Sequence, residues 1–153
     1  MRYVDHISLF CSKKSSWLEC SKNSFLNYFS LLFELSLQEL IFRVWMNLIE
    51  NAIKFSKENG KIDIKVFQEK EKLIITIRDY GIGMPEDQIE KVFDKFYQID
   101  KSHSEEGSGL GLSIVKRIIE LSEGEINLQS KENKGTIVTV RLSVLVIKTI
   151  KYI

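Results

Sequence analysis

The hydrophobic residues of this chain change period partway along it, and that change restricts the architecture more than any other feature. Between Gln38 and Ile53, Leu40, Ile41, Val44, Trp45, Leu48, Ile49, Ala52 and Ile53 recur three and four residues apart, a broad apolar stripe on a helix that Asn59-Gly60 should end. From Ile62 the period falls to two. Ile62, Ile64 and Val66 alternate with Asp63, Lys65 and Phe67, a charged turn follows at Glu69 to Lys72, and Leu73 to Ile77 resume the apolar pattern. An antiparallel hairpin is the expectation. The same succession then repeats: Leu112, Ile114, Val115, Ile118, Ile119 and Leu121 read as a second helix closed by Gly124, and strands over 125–130 and 136–146 flank a turn at Glu132 to Gly135. Helices with one apolar stripe and hairpins with one apolar face bury each other most simply as two layers, so the fold class is α/β.

A length of 153 residues is that of one domain with a core of its own, and 44% hydrophobic with 28% charged residues excludes a disordered or disulfide-built chain. The 22 Lys and Arg nearly cancel the 21 Asp and Glu, which removes the basic field that would favour nucleic acid or an anionic membrane as partner. Cys11 and Cys20 have no further cysteine or paired histidine around them, so neither a zinc site nor a disulfide framework is indicated. The greasiest stretch, Phe25 to Ile49, is interrupted by Glu34, Glu39 and Arg43, which argues against membrane insertion by this chain. The short apolar patch Ile7 to Cys11, followed by Lys13 and Lys14, does not make a secretory leader, and the chain is read as cytoplasmic. Residues 1–37 hold seven of the sixteen aromatics and eight serines without a sustained period, and no element is assigned there.

Three groups of residues carry chemistry. None of the eight glycines precedes Gly60. Two of them lie in Asp79-Tyr80-Gly81-Ile82-Gly83-Met84-Pro85, a tight loop at the end of an apolar strand, with Pro85 placed to start a helix through Val92. A carboxylate there can accept a hydrogen bond from an exocyclic amine while the glycines admit a flat ring; an Asx turn is the plainer reading. Gly107-Ser108-Gly109-Leu110-Gly111 stands directly before the second helix, where bare backbone N–H groups and the helix dipole favour phosphate, although a flexible loop explains the glycines equally well. Asn47, Asn51 and Lys54 share one side of the first helix at i, i+4 and i+7. Amide oxygens suit a magnesium shell completed by phosphates and water, and an ammonium neutralises phosphate; a solvated polar stripe is the alternative.

Taken in order, these motifs resemble the ATP-binding catalytic domain of sensor histidine kinases, within the superfamily that includes type II topoisomerase and mismatch-repair ATPases. Asn47-Leu-Ile-Glu-Asn51-Ala-Ile-Lys54-Phe-Ser resembles the N box, Asp79-Tyr-Gly81-Ile-Gly83-Met the first glycine box and Phe93-Asp-Lys-Phe96-Tyr the F box. Gly107-Ser-Gly109-Leu-Gly111-Leu-Ser-Ile-Val is similar to the second glycine box and Lys134-Gly135-Thr136 to the last. The resemblance runs from Gln38 to Leu142. It implies a Bergerat-type two-layer α/β sandwich, with a mixed, mostly antiparallel sheet backed by helices, and a domain over 38–143 followed by an apolar tail over 144–153.

By the same resemblance the cofactors are ATP and Mg2+. Asn51 would hold magnesium, Asn47 and Lys54 would attend the phosphates, and Asp79 would take the adenine amine. Gly81 and Gly83 would shape the base pocket, Thr136 would support Asp79 or its water, Gly107, Ser108, Gly109, Leu110 and Gly111 would wrap the phosphates, Ile82, Tyr97 and Leu112 would complete the ATP-binding set, and residues 99–108 would be the lid. An amide at Asn47, where the hydrolysing ATPases of the superfamily carry glutamate, cannot activate water as a general base. The site therefore suits phosphoryl transfer to an external nucleophile.

The implied partners are a histidine-bearing dimerisation domain in trans and, downstream, a response regulator; nucleic acid is not among them. Neither His6, followed by Ile7-Ser8, nor His103 in the lid has the sequence setting of a phosphoacceptor, so the catalytic histidine is unknown. Residues 1–37 do not read as a dimerisation hairpin. Leu37-Gln38 stands where the family has an aspartate, and Ser122-Glu123-Gly124 where it has His-Gly-Gly. The competing readings are an incomplete ATP-binding module that occupies a partner kinase and, more remotely, an anti-sigma-type serine kinase.

Overall fold

The computed structural model describes residues 2–10, 36–99 and 108–144. Its elements are β1 (Arg2–Phe10), α1 (Ser36–Phe55), β2 (Lys61–Glu69), β3 (Lys72–Asp79), two single 3-10 turns (Glu86–Gln88 and Lys91–Phe93), α2 (Gly111–Leu121), β4 (Glu125–Lys131) and β5 (Gly135–Ser143). The five strands order β1-β2-β3-β5-β4, and every ladder is antiparallel. Among the described residues the sheet is thus uniform rather than mixed.

Register decides which face each strand residue uses. Ile64 pairs with Ile77, Val66 with Ile75, Ile75 with Val140 and Leu73 with Leu142, so the apolar set of each strand falls on one face. Onto that face α1 lays Ile41, Val44, Trp45, Leu48 and Ala52, and α2 lays Val115, Ile118 and Ile119. This is the expected two-layer sandwich. The residue opposite Ile62 in the same register is Asp79, which is how a strand built for burial ends in a buried carboxylate.

Four local expectations change. First, α1 stops at Phe55, before Asn59-Gly60; Ser56 N–H bonds back to the Ile53 carbonyl at 3.2 Å, and Asn59 (φ +57°) with Gly60 forms a separate turn. The released Phe55 carbonyl, one of those a helix end leaves unsatisfied, is taken by the Ile82 N–H at 3.1 Å. Second, Pro85 does not start a continuous helix. Two 3-10 turns follow it, because only Val92 in that stretch is buried and no apolar stripe holds a longer helix.

Third, the left-handed residue after α2 is Glu123 (φ +52°), not Gly124. Gly124 is needed for closeness: a Cβ there would lie 2.7 Å from the Arg141 carbonyl oxygen and from Leu142 Cδ2. Fourth, residues 2–10 form an edge strand paired to β2 where the sequence offered no element. A register shift between Tyr3 and Asp5 breaks the two-residue period that would have revealed it. Cys11, Cys20, His103, Gly107 and the tail beyond Val144 lie outside the described residues, as does the lid after Ile99 up to Ser108.

Candidate functional site

Asp79 is the last residue of β3 and is 5% exposed. Its Oδ1 accepts hydrogen bonds from the backbone N–H of Gly81 at 2.9 Å and of Thr136 at 3.2 Å. Burial, the larger influence, pushes the carboxyl above its usual value of 3.8, and the backbone N–H groups of Gly81, Thr136 and Asp79 itself pull it back. The other oxygen is not used by either bond.

The loop after Asp79 is locked on both sides by contacts that only glycine permits. A Cβ at Gly81 would sit 1.9 Å from the Phe55 carbonyl oxygen, and one at Gly83 (φ +62°) 2.0 Å from the Lys131 carbonyl oxygen. Ile82 acts through its backbone: besides the bond to Phe55, its carbonyl accepts from Asn133 N–H at 2.6 Å, while its side chain is exposed. Met84 N–H donates to Ser130 Oγ at 2.9 Å, and the same oxygen lies 3.1 Å from the Gly135 carbonyl and 2.9 Å from Thr136 Oγ1. The loop after Asp79 is therefore seated on the end of α1 and on the β4–β5 turn at once.

On α1, Asn47 and Asn51 are half-buried and Lys54 is exposed. Asn47 Nδ2 donates to the Arg43 carbonyl at 2.8 Å, and its Oδ1 faces the start of α2, where a Cβ at Gly111 would approach to 2.7 Å. This joins the N box to the second glycine box. No side chain caps the N-terminus of α2, leaving its first N–H groups for another acceptor. Gly109 (φ +66°) accepts from Phe96 N–H at 2.9 Å, and Ser113 Oγ donates to the Leu110 carbonyl at 2.8 Å. Leu112 packs against the core, Ser108 is exposed, and Tyr97 bonds through its hydroxyl to Gln88. The Lys54 ammonium lies 5.6 Å from the ring centroid of its neighbour Phe55.

Helix α1 is the spine of the site. Successive turns carry Asn47 against Gly111, then Asn51, then Phe55 against Gly81, a separation of eight residue steps or roughly 12 Å along the axis. A ligand laid along it meets an uncapped helix start at one end and a buried carboxylate at the other. Sequence reasoning missed one contributor. Ser130 pairs with Thr136 across the β4–β5 ladder, a hydroxyl facing a hydroxyl beside a tight turn, which is the signal that could have found it. Tyr80 turns away from the pocket: its hydroxyl donates to Asp63 Oδ2 at 2.8 Å, its ring lies 4.5 Å from the Arg78 guanidinium, and Lys61 Nζ closes on Asp63 Oδ1 at 3.0 Å.

No group of three or more His, Cys, Asp or Glu side chains that could hold a metal ion exists among the described residues. The donors present fit magnesium only as a partner of bound phosphate, the Asn51 amide on α1 being one hard oxygen donor. Among the described residues no helix is long and apolar enough to cross a membrane.

Residues 36–145 match the family model described as histidine kinase-, DNA gyrase B- and HSP90-like ATPase. Sensor histidine kinase WalK of Bacillus subtilis (strain 168) is 43% identical over 109 residues, 69% of this chain and 18% of that protein. Signal transduction histidine-protein kinase ArlS of Staphylococcus aureus (strain USA300) is 45% identical over 96 residues, 61% of this chain and 21% of that protein. The chain thus spans about a fifth of the length of the curated relatives it matches. The solved catalytic domain of histidine kinase ThkA superimposes with a TM-score of 0.60 at 34% identity, over 69% of this chain and 67% of that one. With its sandwich, its ordered boxes and its pinned aspartate, the chain belongs to the histidine kinase-, DNA gyrase B- and HSP90-like ATPase family, in company with sensor histidine kinases.

Proposed function

We propose that this chain is the Mg-ATP-binding catalytic domain of a two-component sensor histidine kinase, handing the γ-phosphoryl group of ATP to a histidine on another domain or chain. The observation that carries the reading is the buried Asp79 carboxylate, fixed through one oxygen by the Gly81 and Thr136 N–H groups. Its second oxygen is left to accept from the adenine amine. Gly81 and Gly83 shape the base pocket, with Ile82 and Tyr97 at its margin, and Thr136 steadies Asp79. Residues 38–143 make up the nucleotide-binding unit; a cytoplasmic location would supply its ATP.

Asn47, Lys54 and the loop Gly107, Ser108, Gly109, Leu110, Gly111 and Leu112 attend the phosphates, with the α2 N-terminus supplying N–H donors and dipole. Asn51 would hold the magnesium, which supplies charge neutralisation on the phosphates when bound. The α1 face favours transfer over hydrolysis: Asn47 is an amide, unable to act as a general base, whose Nδ2 is engaged by the Arg43 carbonyl, and the neighbouring Glu50 is exposed. A histidine-bearing dimerisation domain is the phosphoacceptor partner and a response regulator the onward one. The test is to mix the chain with Mg-ATP and such a dimerisation domain from a related kinase. Phosphohistidine on the added domain is expected, and demonstrated ATP binding with no transfer would contradict the kinase reading.

A further inference from the structure

We propose that Ser130 sets the base specificity of the site by fixing the proton of the Thr136 hydroxyl, a proposal that rests on the reading of Asp79 as the base-binding carboxylate. The inference follows from counting protons. Ser130 Oγ has three polar neighbours: Met84 N–H at 2.9 Å, the Gly135 carbonyl oxygen at 3.1 Å and Thr136 Oγ1 at 2.9 Å. An amide N–H only donates and a carbonyl only accepts, while a serine hydroxyl has one proton and two lone pairs. One assignment satisfies all three contacts: Met84 N–H donates to Ser130, Ser130 donates to the Gly135 carbonyl, and the second lone pair of Ser130 accepts from Thr136.

The Thr136 hydroxyl has then spent its proton on Ser130 and offers only lone pairs elsewhere. Its backbone N–H is committed as well, to Asp79 Oδ1 at 3.2 Å. The Asp79 carboxylate, joined to Thr136 through that bond, likewise only accepts, so both side chains offer lone pairs. They match a purine edge that donates, as a 6-amino group does, and set lone pairs against lone pairs for a 6-oxo group. Ser130 is thus a positioning residue for specificity. It needs no contact with the nucleotide, and its bond to Met84 N–H seats the base loop at the same time.

The measurement is the ratio of dissociation constants for Mg-ADP and Mg-IDP (inosine diphosphate), by calorimetry on the full chain. The native chain should prefer ADP. Ser130→Ala frees the Thr136 proton to donate to the 6-oxo group, and the preference should fall about tenfold; Ser130→Thr, which keeps the hydroxyl, should retain it. Ser130→Cys, close in volume but a weak donor and acceptor, should also lower the ratio and serves if the alanine variant does not fold. A purely structural role would weaken both nucleotides alike, so an unchanged ratio in the folded Ala or Cys variant overturns the proposal. Equal native affinities for ADP and IDP overturn it while leaving the kinase reading intact. Failure of a folded native chain to bind either nucleotide removes both.

Discussion

Asp79 carries a carboxyl that its surroundings both burden and use. Burial holds it above the usual 3.8, the backbone N–H groups around it offset part of that, and the net cost falls on the folded state. The sign is fixed by the direction: below the unfolded value the group is protonated in both states, and as pH rises through the raised folded value the native state loses stability. Asp79→Asn keeps an oxygen for Gly81 and Thr136 and removes the charge. The gap in unfolding free energy between this variant and the native chain should therefore widen in the variant's favour as pH rises from about 4 towards the raised value, then level off. Urea titrations across that range check it, and a gap that narrows would contradict it. The same variant presents an NH2 group to the adenine amine, so its affinity for an ATP analogue should drop roughly 100-fold. Asp79 was legible in the sequence because a carboxylate ending an apolar strand beside two glycines is an unusual placement. Ser130 was not, since a serine in a strand has no signature until its ladder partner is known.

Among the elements, the glycines divide into those that hold the fold and those that clear the pocket. At Gly81 a new Cβ meets backbone 1.9 Å away, so Gly81→Ala should cost about 2 kcal/mol or more of stability, read from the urea midpoint. At Gly111 the obstacle at 2.7 Å is the Asn47 amide, a side chain that can rotate. Gly111→Ala should leave stability nearly unchanged, since alanine favours the helix, but displace Asn47 and weaken nucleotide binding about tenfold, measured by calorimetry. Equal losses of stability at both positions would refute this division. Leu48, 2% exposed beneath the N box, tests the core: Leu48→Ala should cost about 2–5 kcal/mol. Both helices and all four C-terminal strands were readable because their periods are clean. The helix expected after Pro85 was not realised because periodicity cannot show that only Val92 would find a place in the core.

For the molecule as a whole, α1 joins the parts. It packs on the sheet, meets α2 through Asn47 and Gly111, and gives its terminal carbonyl to the loop that follows Asp79. The order of the boxes along the chain foretold which segments converge, but not how. The convergence depends on antiparallel register and on backbone approaches of glycines, and neither leaves a mark in a single sequence beyond the glycines themselves. The edge strand β1 was hidden for the same reason, its alternation interrupted at Tyr3 and Asp5. The central claim is that these parts make one Mg-dependent nucleotide site. Calorimetric titration with a non-hydrolysable ATP analogue, with and without magnesium, on the native chain and on Asn51→Ala, tests it most directly. Magnesium-dependent binding that is lost in Asn51→Ala is the predicted result; a folded native chain that takes up no nucleotide under either condition would contradict it.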